Sequence, residues 1–283
     1  MEIRTVTANG VDFAYLEMGQ GPLALCLHGF PDTAHTWRHL LPELAGRGYR
    51  AVAPFMRGYA PTSVPADGAY EPGALVADAC ALHEALGGDG DAVLIGHDWG
   101  AFPAYGAPAF APARWRRAVA MAVPPPAATI SSFFAYEQLK RSFYIFLFQT
   151  PLAETAASQE GFLEGLWRDW SPGYDAAEDV AEVRRSLADP ANLAAAIGYY
   201  RAMLGAVPPT GRYAAEQAAT GGDVPILYLH GEDDGCLDPG LAATAPEFLP
   251  PGSRTGLVAD AGHFLHLERP KEVNNLILDW LAR

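Results

Sequence analysis

One aspartate sits where its neighbours could make a nucleophile of it. Asp98 occupies the middle of Gly96-His97-Asp98-Trp99-Gly100, after the apolar run Ala92-Val93-Leu94-Ile95 and before the small-residue stretch Ala101 to Phe110. Strand, tight turn and helix in that order form the context of a nucleophile elbow. The glycines at its ends permit a sharp turn and a close approach of strand and helix. The usual elbow presents serine, whereas a carboxylate attacks a saturated carbon by displacement and forms an alkyl ester. Such chemistry suits a strained ring or a good leaving group on sp³ carbon. Water must then cleave the ester at the Asp98 carbonyl, which requires a general base and donors for the developing oxyanion. The main-chain N–H of Trp99 is one donor by elbow geometry. Phe30, in the loop after the first core strand, is the expected second. The competing reading of Asp98, an Asx turn between strand and helix, is disfavoured by these neighbours.

Three other clusters close apolar segments: His28-Gly29-Phe30-Pro31, Gly231-Glu232-Asp233-Asp234 and Asp260-Ala261-Gly262-His263. In open α/β sheets ligands bind beyond the carboxyl ends of the strands. His263 and His266 are candidates for the base, and Asp233 and Asp234 for the acid that orients it. His28 and His97 read as supports of their loops. The order nucleophile, acid, histidine is the triad order of the α/β-hydrolase fold.

The elements that must position these groups follow from patterning. Ile3 to Thr7 and Val11 to Glu17 alternate around Asn9-Gly10, a strong hairpin signal. Leu23–Leu27 and Tyr49–Ala53 are short apolar runs of the kind buried on both faces of a sheet. Helices are expected from about Thr36 to Leu44 and Pro72 to Leu86, and a further strand over Arg117 to Ala122. The alternation then stops at Pro124-Pro125-Pro126. Residues 127–218 read as aromatic-rich helical pieces, including Ser142 to Gln149, Glu160 to Trp170, Asp175 to Leu187 and Ala191 to Leu204. Strands resume at Pro225 to Leu229 and Arg254 to Val258, before a terminal helix, Pro270 to Leu281. The expectation is an α/β fold: a mostly parallel sheet flanked by helices, formed by residues 1–123 and 220–283, with a helical cap inserted at 124–219.

Composition bounds the function. The chain has 283 residues, half of them hydrophobic, and a formal net charge of -14. Such acidity argues against nucleic acid or an anionic membrane as a partner. No apolar run approaches a membrane span, and the N-terminus lacks the features of a secretory signal, so a cytoplasmic location is expected. Three cysteines, Cys26, Cys80 and Cys236, show no CxxC spacing, and no histidine pattern matches a metal site. Neither metal nor organic cofactor is expected. Monomer and homodimer both remain open.

The chain resembles α/β-hydrolases of the soluble epoxide hydrolase and haloalkane dehalogenase type, whose elbow nucleophile is aspartate. The resemblance is carried by Gly96-His97-Asp98-Trp99-Gly100, His28-Gly29-Phe30-Pro31 and Gly262-His263-Phe264-Leu265-His266-Leu267-Glu268. It implies His263 as base, and Asp234, three residues after Gly231, as its acid. Many dehalogenases of this group place the acid after the preceding strand, but Met121 to Phe134 contains no Asp or Glu. Epoxide hydrolases of this type face the nucleophile with two cap tyrosines. Tyr144-Ile145-Phe146-Leu147-Phe148-Gln149-Thr150-Pro151 matches one family pattern, and Tyr199-Tyr200-Arg201 the other with Tyr200. A departure is Pro54-Phe55-Met56-Arg57-Gly58-Tyr59-Ala60, where Phe55 replaces the family's acidic residue. The resemblance therefore implies conversion of an apolar epoxide to a vicinal diol through an ester on Asp98. The alternatives are a dehalogenase with the same nucleophile, in which Trp99 could hold the halide, and a ligand-binding homologue without turnover.

Overall fold

The computed structural model describes residues 2–129, 133–205 and 207–283. Its eight strands are β1 (Ile3–Ala8), β2 (Val11–Gly19), β3 (Leu23–Leu27), β4 (Arg50–Pro54), β5 (Val93–His97), β6 (Arg117–Met121), β7 (Ile226–Gly231) and β8 (Arg254–Val258). They form one sheet in the order β1-β2-β4-β3-β5-β6-β7-β8. The first hairpin turns on Asn9 and Gly10, both at positive φ (47° and 72°), as a two-residue turn matched to strand twist requires. Strands β1, β2 and β4 pair antiparallel in succession, and every pairing from β4 to β8 is parallel. Strands β3, β5 and β7 are buried throughout, which explains their continuous apolar runs.

The chain leaves β3 for β4 on one side and later returns to β5 on the other side of β3. A crevice opens at the carboxyl ends where the strand order reverses. Here those ends carry His28-Gly29-Phe30 and Asp98. The sheet is flanked by α1 (Leu40–Gly46), α2 (Pro72–Ala85) and α3 (Ala101–Phe110). The expected start at Thr36 moves upstream, because Thr33 accepts the N–H of His35 and caps a 3₁₀ segment, Ala34–His39, that runs into α1.

Between β6 and β7 the described residues contain no strand. They form α4 (Pro126–Thr129), α5 (Tyr136–Arg141), α6 (Phe143–Leu147), α7 (Ala153–Ala157), α8 (Phe162–Trp170), α9 (Ala177–Ser186), α10 (Pro190–Leu204) and α11 (Ala214–Ala218). The chain closes with α12 (Leu265–Glu268) and α13 (Pro270–Leu281). No helix among the described residues is long and apolar enough to cross a membrane.

Arg57 shows why the departure at Phe55 leaves the loop after β4 intact. Its guanidinium is fully buried and meets Asp78 on α2 at 2.5 Å and 2.6 Å, while its carbonyl accepts the Tyr199 hydroxyl at 2.8 Å. Charge pairing anchors this loop from below and α10 from above.

Candidate active site

The elbow is as tight as its glycines suggested. Asp98 itself has a positive φ of 51°, a strained setting for a residue with a side chain. A Cβ on Gly96 would run into the Gly100 carbonyl, and one on Gly100 into the Leu27 carbonyl. The third essential glycine is Gly29: a Cβ there would strike the Asp98 carboxylate and come within 2.5 Å of the Trp99 nitrogen. This close approach lets the Phe30 N–H donate to Asp98 Oδ1 at 2.7 Å. The Phe30 main-chain nitrogen is thus held against the carboxylate.

His263 Nε2 stands 3.4 Å from Asp98 Oδ2, and its Nδ1 is 2.9 Å from Asp234 Oδ2. The other Asp234 oxygen accepts the N–H groups of Cys236 and Leu237 at 2.7 Å and 2.9 Å. Asp233 points to solvent one residue earlier, so burial separates the two candidate acids. Burial by itself would push His263 down, but the Asp234 and Asp98 carboxylates overcome it and raise its pKa to about 10. Burial works against the Asp234 charge in turn, and His263 more than offsets it, so that carboxyl lies below its usual range.

The other histidines act differently. His28 accepts the Met56 N–H at Nε2 (2.9 Å) and approaches the Gly29 carbonyl with Nδ1. His97 Nε2 is 2.9 Å from the His263 carbonyl, and His266 Nε2 is 2.6 Å from Thr36 Oγ1. Burial lowers the pKa of all three, His28 to about 4 and His97 to about 3. Neutral, hydrogen-bonded and set back from the nucleophile, they hold loops in place.

Asp32, His97 and His266 bring one potential ligand atom each within 4.8 Å of one another, in buried positions. They are the described trio best able to reach a common ion. Burial raises Asp32 to about 8, which leaves its carboxyl neutral near pH 7 and a poor partner for a cation.

Asp98 lines a cavity of about 290 Å³ whose walls are mainly apolar. Tyr144 on α6 and Tyr200 on α10 both line it, together with Asp98 and Trp99. Their rings stand edge to face, 5.4 Å apart, and pack on Phe30. Burial, and next for Tyr200 the Asp98 charge, drives both phenols well above their ordinary pKa, so both are neutral donors. Tyr199 turns the other way and spends its hydroxyl on the Arg57 carbonyl.

Comparison with known proteins places this geometry. A profile described as alpha/beta hydrolase fold matches residues 22–270. Epoxide hydrolase A of Mycobacterium tuberculosis is 31% identical over 322 aligned positions, covering 99% of this chain and 97% of that protein. The chain is an α/β-hydrolase of the epoxide hydrolase type. Among solved structures, an epoxide hydrolase of Bacillus megaterium in complex with an inhibitor superposes with a TM-score of 0.84 at 27% identity, covering 99% of this chain and 100% of that one. Epoxide hydrolase VrEH1 of Vigna radiata gives 0.81 at 27% identity, with 99% and 97% covered.

Within this α/β-hydrolase several supports were not read from the sequence. The Trp170 carbonyl, at the end of α8, accepts the N–H groups of His263 (2.9 Å) and Gly235 (3.1 Å), joining the base and acid loops. Ser171 Oγ donates to Glu268 at 2.7 Å and accepts the Phe264 N–H at 3.0 Å, and Glu268 also accepts the Gly262 N–H. Gln149 Nε2 reaches the carbonyls of Ile145 and Tyr200, tying α6 to α10. Only the places of Gln149 and Glu268 in their quoted motifs offered a signal; backbone carbonyls carry none.

Proposed function

We propose that this protein hydrolyses apolar epoxides to vicinal diols through an ester on Asp98. The observation that carries the reading is that a carboxylate, Asp98, and two neutral phenols, Tyr144 and Tyr200, line one apolar cavity. A haloalkane would need no proton donor there; an epoxide oxygen does. In the first step an Asp98 oxygen bonds to a ring carbon while the C–O bond breaks. The electron pair stays on the epoxide oxygen, which takes a proton from a roof tyrosine.

The second step follows from charge. While Asp98 is ionised, it helps hold His263 as an imidazolium. Esterification removes that negative charge, so the His263 pKa falls; the imidazolium gives up its proton to the tyrosinate left by ring opening, and the neutral ring, still oriented by Asp234, becomes a base for water. The oxyanion on Asp98 is met by the Phe30 and Trp99 N–H groups. Collapse releases the diol and restores the carboxylate. Residues 124–219 serve as the cap that supplies the phenols and covers the cavity.

The test offers purified protein an apolar terminal epoxide such as styrene oxide, and separately a terminal haloalkane. The account expects diol from the first and no halide from the second. Halide release without diol would favour the dehalogenase, and binding without consumption a non-catalytic homologue.

A further inference from the structure

The two roof phenols are not equivalent. Tyr200 Oη makes no hydrogen bond within 3.5 Å among the described residues, its polar neighbour being the Trp99 indole. Tyr144 Oη lies 3.6 Å from Cys236 Sγ, with both side chains buried. Cys236 is two residues beyond the triad acid, and its place is fixed from both sides. Below, its N–H donates to Asp234 Oδ1 at 2.7 Å. Above, its carbonyl accepts Gln138 Nε2 from α5 at 3.0 Å, and Gln138 Oε1 accepts the Asp238 N–H at 3.0 Å. Arg141, also on α5, donates to the Asp234 carbonyl at 2.5 Å. These bonds fix the Cys236 backbone, and burial confines its thiol beside the phenol.

We propose that Cys236 is a positioning residue for ring opening: its S–H donates to the Tyr144 oxygen, turns the phenol proton into the cavity, and makes Tyr144 the tyrosine that delivers it. The proposal rests on the epoxide hydrolase reading above. As Asp98 bonds to carbon and the C–O bond breaks, the epoxide oxygen takes the Tyr144 proton. The phenolate left behind keeps the S–H hydrogen bond. The proton that His263 gives up on becoming a base restores the phenol, and the proton freed when water cleaves the ester returns His263 to its charged form, so the cycle balances as epoxide plus water to diol. Burial holds the Cys236 thiol well above its usual pKa, and a neutral thiol does not compete with Asp98 for the electrophile. Tyr200, unpartnered, then acts as a second donor that holds the epoxide oxygen in line.

The test is a double-mutant cycle read by stopped-flow tryptophan fluorescence, which separates ester formation from ester hydrolysis, Trp99 being next to the nucleophile. Cys236→Ala should slow ester formation about two- to tenfold, the range for one neutral hydrogen bond. Cys236→Ser should restore most of the rate. The effect should vanish in the Tyr144→Phe background and persist in the Tyr200→Phe background. Ester hydrolysis, which depends on Asp234, should stay unchanged in each Cys236 variant and so reports that the acid loop is intact. Equal slowing in every background, no slowing, or faster ester formation after Cys236→Ala would each overturn the proposal. A wild-type protein that forms no ester with any epoxide would instead sink the proposed function, and this inference with it.

Discussion

The floor and the roof of the cavity are built by different physics. On the floor, Asp98, Phe30 and His263 are placed by backbone: short buried strands, a turn at positive φ, and glycines whose missing Cβ atoms let the Phe30 main-chain nitrogen touch the carboxylate. On the roof, Tyr144 and Tyr200 are placed by ring packing on Phe30, Trp99 and Phe148, from helices of 5 and 15 residues. Backbone placement fixes an atom tightly and tolerates no added atom. Ring packing fixes a plane and leaves the hydroxyl to find its partner. Floor substitutions should therefore abolish chemistry, and roof substitutions should grade it.

The largest effect is expected at the nucleophile. Asp98→Ala should lower kcat by about 10⁴-fold or more, as removal of a covalent catalyst does. Residual turnover within tenfold of wild type would show that water attacks the epoxide directly. Next come the phenols. Tyr144→Phe or Tyr200→Phe should slow ester formation by about 10²-fold or more, the contribution of a positioned general acid, with the Tyr144 change the larger. Ester hydrolysis should be nearly untouched, and equal loss in both steps would erase the proposed division between roof and floor.

The contrast also explains what could be read in advance. Leu23–Leu27 and Pro270–Leu281 have the limits their patterning implied, because a run buried on both faces and a helix opening on proline are local signals; Arg254–Val258, largely exposed at the sheet edge, also keeps its expected limits. Asp98 and His263 were legible because strand ends are where such sheets put chemistry. Asp234 needed the family spacing, since Asp233 differs from it only in burial. The roof was read through its motifs, but the helix carrying Tyr144 is shorter than expected, Ser142 to Gln149 narrowing to Phe143–Leu147, while the one carrying Tyr200 keeps its expected span to within a residue. The Trp170 carbonyl and the Cys236 thiol were invisible, because each acts through tertiary proximity that no spacing encodes.

A smaller, structural effect should come from the join between the two regions. A Cβ on Gly262 would approach the Trp170 carbonyl to 2.5 Å and push the base loop off the end of α8. Gly262→Ala should therefore slow ester hydrolysis on the order of 10²-fold, the cost of a displacement near 1 Å, while sparing ester formation. The ratio of the two rates checks this.

A further effect is on stability against pH rather than on rate. His263 titrates near 10 in the folded chain and near 6.5 when unfolded. Its raised folded pKa contributes stability that is fully present below about 6.5 and lost as pH rises through about 10. Denaturant unfolding from pH 6 to 10 should show that decline, and Asp98→Asn, which removes one of the two carboxylates, should flatten it. An unchanged slope would mean that Asp98 does not hold the imidazolium.

The most direct test of the carboxylate mechanism is intact and peptide mass spectrometry of His263→Gln after incubation with an apolar epoxide. Without its base the protein should retain the full mass of the epoxide, on the peptide that carries Asp98. Diol formation with no adduct, or an adduct on any other residue, would contradict the account.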